Sequence, residues 1–329
     1  MIFITGLLYL VFEETFARGS GHAISVSGAR TIMGAQVGMI LLAVIVTRSS
    51  VMSLQAKQGL PWGNQVTGWA VLVSSLAIPF AHRLYPNSSY LHRLVMIYLT
   101  FAPTFVILTI SYEGLFYFVF CMTLATWVHM EHALYIYHNA SKEPKTAGLG
   151  EFRALKVSDI RVALFFFFLL QSGFFSTGNI ASVSSFSLDS VNRLIPVFNP
   201  FSQGALLILK ILIPFALIST NLGILNRRLE VAPSALFMVV MTISDISTLN
   251  FFYMVRDDGS WLEIGTTISH FVIANGLCLF VVGLEFVSEV FVSGVDFSSH
   301  HPQSSLQSHN ASTRAKPEDT PTTPTIRNT

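Results

Sequence analysis

Charge is what this sequence has least of. Of its 329 residues only 11% are Asp, Glu, Lys or Arg, against about a quarter in an ordinary soluble domain, which all but excludes a water-soluble globule. The formal net charge of +1 supplies no field to attract nucleic acid or acidic surfaces, and no Lys/Arg cluster of binding size stands out, so nucleic acid is not an expected partner. Cysteine is nearly absent too. Cys121 and Cys278 are the only two, both inside apolar stretches, and they indicate neither a disulfide framework nor a cysteine zinc site. There is no Gly-rich phosphate loop, no H-E-x-x-H, no G-x-S-x-G element and no internal repeat.

What the sequence does have is long apolar runs. A bilayer core about 30 Å thick takes roughly 17 to 25 apolar helical residues per span. Residues 31–47, 65–81, 94–112, 114–130, 162–176, 231–255 and 264–284 fit, the sixth interrupted by Asp245; 205–225 fits with Lys210 and Pro214 inside it. Residues 1–12 are apolar but only about 18 Å long as a helix. Glu13 and Glu14 end this run, and it lacks the basic start and cleavage site of a signal peptide, so it reads as the end of a span whose beginning lies upstream. The expected fold is an all-α polytopic transmembrane bundle of about eight to nine spans over 1–292. A polar tail, 293–329, has the Ser, Thr, His and Pro composition of a disordered segment.

With nine spans, alternate connections can be compared for positive charge. One side holds Arg18, Arg30, Arg83, Arg93, five basic residues between Lys142 and Arg161, Arg227, Arg228 and the tail's Arg314, Lys316 and Arg327. The other holds Arg48, Lys57, Arg193 and Arg256. The richer side is expected to be cytosolic, which puts the 177–203 and 256–263 loops on the luminal or external face. The parity depends on whether the chain turns back at Glu113. Asn87, Asn139 and Asn310 begin N-x-S sequons, all on the expected cytosolic side, so none is expected to carry a glycan.

Lys210 and Asp245 are the charges deepest in apolar runs, where each costs about 2.5 to 3.5 kcal/mol on insertion scales, and they are expected to meet. The pair reads either as part of a polar cavity that binds a lipid head group or carries protons, or as a buried structural pair. Glu285 and Glu289, four apart on one helix face, suit acid/base work or the wet edge of a helix. His129, Glu131, His132 and His138 have the types and spacing of a weak metal cluster or of interfacial residues. Asp257 and Asp258, with Trp261 and Glu263, form a solvated turn or a reach toward a phosphate-bound metal.

Five stretches carry a more specific signal: 55–69 (QAKQGLPWGNQVTGW), 174–186 (FFSTGNIASVSSF), 199–215 (NPFSQGALLILKILIPF), 242–247 (TISDIS) and 259–273 (GSWLEIGTTISHFVI). Together they resemble the C-terminal membrane region of the GPI ethanolamine phosphate transferase 1 family. The likeness extends across most of 55–292, and Lys210, Asp245, Asn179, Trp261 and His270 fall inside it as candidate residues of a lipid-facing polar cavity. It implies a multi-span membrane region of the endoplasmic reticulum, working in GPI-anchor biosynthesis with membrane lipids, phosphatidylethanolamine and the GPI precursor as partners. The family's luminal, alkaline-phosphatase-like domain carries two zinc ions and a threonine nucleophile. No position here matches those motifs, so the resemblance assigns this chain no catalytic residue, metal ligand or cofactor. It implies a lipid-binding platform that is inactive in isolation, serving a luminal phosphatase-like domain that is a separately encoded chain or one encoded upstream. A secondary transporter using Lys210 and Asp245, or a scaffold subunit, are the alternatives.

The charge distribution generates a direct test. A tag placed after Thr329 is expected to be digested by protease added to sealed microsomes, and protection of the tag would reverse the topology.

Overall fold

The computed structural model describes residues 1–19, 27–81, 90–109, 111–140, 152–178, 190–232, 234–254 and 261–293. Apolar segments in lipid have to satisfy every backbone N–H and C=O internally, and a helix does so within one segment. Nine helices result among the described residues: α1 Ile2–Gly19, α2 Ser27–Gln55, α3 Trp62–Ala81, α4 Tyr90–Leu108, α5 Ser111–Ala140, α6 Ser158–Gly178, α7 Pro200–Arg228, α8 Ala235–Met254 and α9 Trp261–Val292. Arg153 and Val231 form one isolated parallel bridge, and no sheet is formed among these residues.

Five of the helices are long and apolar enough to cross a membrane: Arg30–Gln55, Tyr90–Leu108, Glu113–His138, Ser158–Thr177 and Pro200–Arg228. The chain is a multi-pass membrane protein, with five such spans among the described residues; the expected count of eight to nine is not reached by these residues. Ile2–Phe12 and Ala235–Asn250 are apolar but shorter, and α3 is diluted by Asn64, Gln65, Ser74 and Ser75. Glu13 and Glu14 do not end the first helix, which continues to Gly19. The polar tail beyond Ser293 lies outside the described residues, as do the sequon residues Asn87 and Asn310.

The chain breaks its helix between Leu108 and Ser111. Tyr117 donates its hydroxyl to the Tyr98 carbonyl at 2.6 Å, although one continuous helix would hold those residues roughly 28 Å apart. α5 therefore folds back along α4, with Glu113 already inside its first turn.

α7 is the helix that the others surround. It packs against α4, α5, α6, α8 and α9, and Leu217 to Asn226 are buried without interruption. Water-driven burial does not hold helices together in lipid, so close backbone approach and interhelical hydrogen bonds carry the association. Gln36 on α2 donates to the Met96 carbonyl at 3.1 Å and to Thr100 at 2.8 Å. Ser75 on α3 meets Thr104 on α4 at 2.9 Å. Ser219 on α7 donates to the Leu284 carbonyl of α9 at 2.8 Å. Gly223 brings α7 so close to α9 that a Cβ there would collide with the Ser288 hydroxyl oxygen.

That contact predicts a pair of outcomes. Gly223→Ala is expected to destabilise the protein by about 1–3 kcal/mol through overpacking. Ser288→Ala removes a buried hydroxyl with no hydrogen-bond partner, so by itself it is expected to be neutral or stabilising. Combined with Gly223→Ala it should restore most of the loss. Thermal unfolding in detergent reads all three; an unimproved double variant would refute the contact.

Candidate functional site

Glu113 stands in the first turn of α5, where unpaired backbone N–H groups favour an anion. Eleven residues into α7, Lys210 donates from Nζ to Glu113 Oε1 at 2.7 Å, and both side chains are almost fully enclosed. Four residues on, Pro214 has no N–H to give the Lys210 carbonyl, so the backbone here keeps an acceptor outside the helix ladder. Gly173 on α6 makes room for that proline, since a Cβ there would lie 3.1 Å from the Pro214 ring.

Arg193 closes the other side of the helix break. It belongs to a short 3₁₀ turn, Val191–Arg193, and donates from Nη1 to the Thr109 carbonyl at 2.8 Å. A cation is thereby set at the C-terminus of α4, where carbonyls lack helical partners. α7 starts beside it: the Asn199 side chain accepts from the Ser202 N–H at 3.3 Å, and Pro200 follows the cap. Gln203 donates to Asn192 at 3.2 Å and to the Ile195 carbonyl at 3.3 Å. Val197, Phe198, Phe201 and, at the start of α3, Trp62 are exposed.

Three turns beyond Lys210, on the same face of α7, Asn221 accepts from the Tyr98 hydroxyl at 2.8 Å. Gln203, Lys210 and Asn221 thus make a polar stripe, and its last two members turn toward α5 and α4.

The expected meeting of Lys210 with Asp245 is not formed. Lys210 is taken by Glu113, while Asp245 lies on an exposed side of α8 with Ile246 and Leu249. Similar depth in two consecutive spans does not fix direction, and the face of α7 that carries Lys210 points at α5. Glu113, treated from the sequence as a connection, becomes the partner because α5 begins just before it. Asn179 lies outside the described residues, as do Asp257 and Asp258; Trp261 and His270 lie on α9, with side chains outside the described set.

The histidine cluster disperses. His129 and His138 are exposed, Glu131 pairs with Arg161, and His132 sets its ring edge toward Tyr90 at 6.4 Å. Among the described residues no group of three His, Cys, Asp or Glu is placed to hold a metal ion. Glu289 bonds Arg227 at 3.1 Å, and Glu285 sits half-buried one turn earlier.

The opposite end of the bundle is knotted by arginines. Arg153 grips Asp159 through two hydrogen bonds of 2.8 and 3.0 Å and donates from Nε to the Leu229 carbonyl at 2.7 Å. Arg93 donates to the Phe291 carbonyl at 2.8 Å.

Lys210→Met or Glu113→Gln alone is expected to cost about 3–5 kcal/mol, because each strands a buried charge. The double change Lys210→Met with Glu113→Leu should recover most of it. Asp245→Asn should add independently to Lys210→Met. Unfolding midpoints of the cycle decide: non-additivity with Asp245 instead of Glu113 would overturn the pairing.

Residues 1–260 match the family model described as phosphatidylinositolglycan class N, PIG-N. Over 89% of the chain, 71% of residues are identical to a protein of Emericella nidulans called GPI ethanolamine phosphate transferase 1, of which 34% is covered. A protein of the same name in Aspergillus fumigatus is 70% identical over 90% of the chain and 31% of its own length. The Saccharomyces cerevisiae protein of that name is 44% identical over 89% of the chain, again with 31% of its length covered. The chain thus spans about a third of the length of these relatives. No solved structure matches it. With four fifths of its length matched by one family model, this chain belongs to the PIG-N family.

Proposed function

We propose that this chain works in GPI-anchor biosynthesis as the membrane-embedded part of an ethanolamine phosphate transferase, holding the lipid substrates while phosphoethanolamine passes from phosphatidylethanolamine to the first mannose of the GPI precursor. The reading is carried by the 71% identity to a protein named GPI ethanolamine phosphate transferase 1. The bond-making groups belong to a luminal phosphatase-like domain. The membrane is that of the endoplasmic reticulum.

The lipid-holding role falls to the end of the bundle bearing Arg193, Gln203 and the Lys210–Glu113 pair. Physical chemistry supports it in two ways. Exposed Trp62 suits the head-group layer, where the amphipathic indole is an anchor, and exposed Phe198 and Phe201 offer apolar surface to acyl chains. The polar groups at the α4–α5 break are held by side-chain donors, Lys210 on Glu113 and Arg193 on the Thr109 carbonyl, which a phosphate head group can recruit without unwinding a helix. The same surface would then carry the luminal domain. The transporter alternative rested on coupling through Lys210 and Asp245, a pair that does not form.

A photoactivatable phosphatidylethanolamine tests this in microsomes containing the full chain. Label is expected at 190–203 and around Trp62, and Arg193→Gln should reduce it several-fold. Labelling confined to the α7–α8 end, or no greater than that by a photoactivatable diacylglycerol, would sink the reading.

A further inference from the structure

We propose that a membrane phospholipid docks its phosphate on Arg228, at the end of the bundle remote from Lys210. Arg228 is the last residue of α7, eighteen residues and roughly 27 Å of helix beyond Lys210. The two sites are separate, and failure of this one leaves the proposed transfer role untouched.

The first observation is a charge without a counter-charge. Arg153 takes Asp159, Arg161 takes Glu131 and Arg227 takes Glu289. Arg228 takes no carboxylate among the described residues. Its guanidinium lies over the Tyr90 ring, 3.7 Å from the centroid, a contact that holds a cation by its face. Nε is buried and has no hydrogen-bond partner. The C-terminal dipole of α7 attracts Arg228 as it does Arg227, yet it gives Nε nothing to bond.

The second observation is what surrounds that N–H. Tyr90 is the first residue of α4, and the first turn of that helix contains no acidic residue. Its backbone N–H groups are donors without intrahelical partners. An acceptor beside Tyr90 can therefore reach both a guanidinium edge and a helix N-terminus, the combination that phosphate oxygens fill. His132 on α5 also packs edge-on against the Tyr90 ring.

Lipid is favoured over free phosphate by depth. Tyr90 opens the candidate span Tyr90–Leu108, and Arg228 closes the candidate span Pro200–Arg228. Both stand where hydrocarbon gives way to head groups, the level at which basic pockets between helices bind lipid phosphates.

The test titrates the full chain in maltoside with dioctanoyl phosphatidylserine, dioctanoylglycerol or inorganic phosphate. Binding of the phospholipid is expected to weaken about fivefold in Arg228→Gln and by less than twofold in Arg227→Gln. Dioctanoylglycerol, which lacks the phosphate, should bind the wild type no better than it binds Arg228→Gln. If Arg228→Gln does not fold, Arg228→Lys, which keeps the charge and loses the planar fork, should fall between the two. Undiminished phospholipid binding by either Arg228 variant would overturn the site. Arg228-dependent binding of inorganic phosphate alone, without the lipid, would overturn its assignment to a lipid.

Discussion

A lysine inside an apolar helix sets the terms on which this bundle can form. Left alone at that depth, Lys210 would cost about 2.5 to 3.5 kcal/mol on insertion scales, and the structure answers it with Glu113. That answer has consequences along the chain. For Glu113 to reach α7, the long apolar stretch from Tyr90 onward must break and turn back, giving α4 and α5 instead of one helix. The break exposes the carbonyls that end α4, and Arg193 covers them. Arg193 in turn holds the start of α7 near the break. One charge thus fixes the relative positions of three helices and a loop.

Between the ends, association depends on shape and on hydrogen bonds that cross helix boundaries. Leu and Phe on the outer faces of α2, α6 and α8 are exposed, as lipid-facing residues are when lipid tails replace water. Specificity comes from elsewhere. Gly223 against Ser288 and Gly173 against Pro214 let backbones approach, and Tyr98, Tyr117 and Asn221 tie α4, α5 and α7 through side chains that have no polar alternative in hydrocarbon. α4 and α7 share the central place because they supply most of these groups.

The apolar runs made the helices legible, and the alternation of basic connections anticipated that Arg93, Arg153, Arg161, Arg227 and Arg228 would gather at one end while Arg193 stands at the other. The transferase resemblance, read from five stretches, agrees with the family match. Partner choice was not legible. Hydropathy records how deep a residue lies but not which way it faces, so Lys210 was matched to Asp245 by depth when its face of α7 points to α5. A charge between two apolar runs, such as Glu113, was the available signal, since a buried lysine needs an anion. Contacts through the backbone leave no trace in composition: nothing in the sequence marks Arg153 as the residue that bonds the Leu229 and Glu230 carbonyls.

The turn from α7 to α8 explains why that arginine is needed. α7 ends in a Schellman arrangement, with the Val231 N–H bonded to the Asn226 carbonyl and the Glu230 N–H to that of Arg227. The motif puts its left-handed residue at a position that glycine usually fills. Here it is Glu230, at φ 54°, a conformation that costs an ordinary residue roughly 1–2 kcal/mol. Glu230 is held there from both sides: its carbonyl accepts the Arg153 N–H at 2.9 Å, and its carboxylate accepts the Tyr135 hydroxyl at 2.9 Å. A glycine would relieve the backbone but would lose the side-chain bond that joins the turn to α5. Glutamate at this position exchanges local ease for a link among α5, the residues before α6 and the turn to α8, and that link keeps the C-terminus of α7, with Arg228 upon it, in a fixed place.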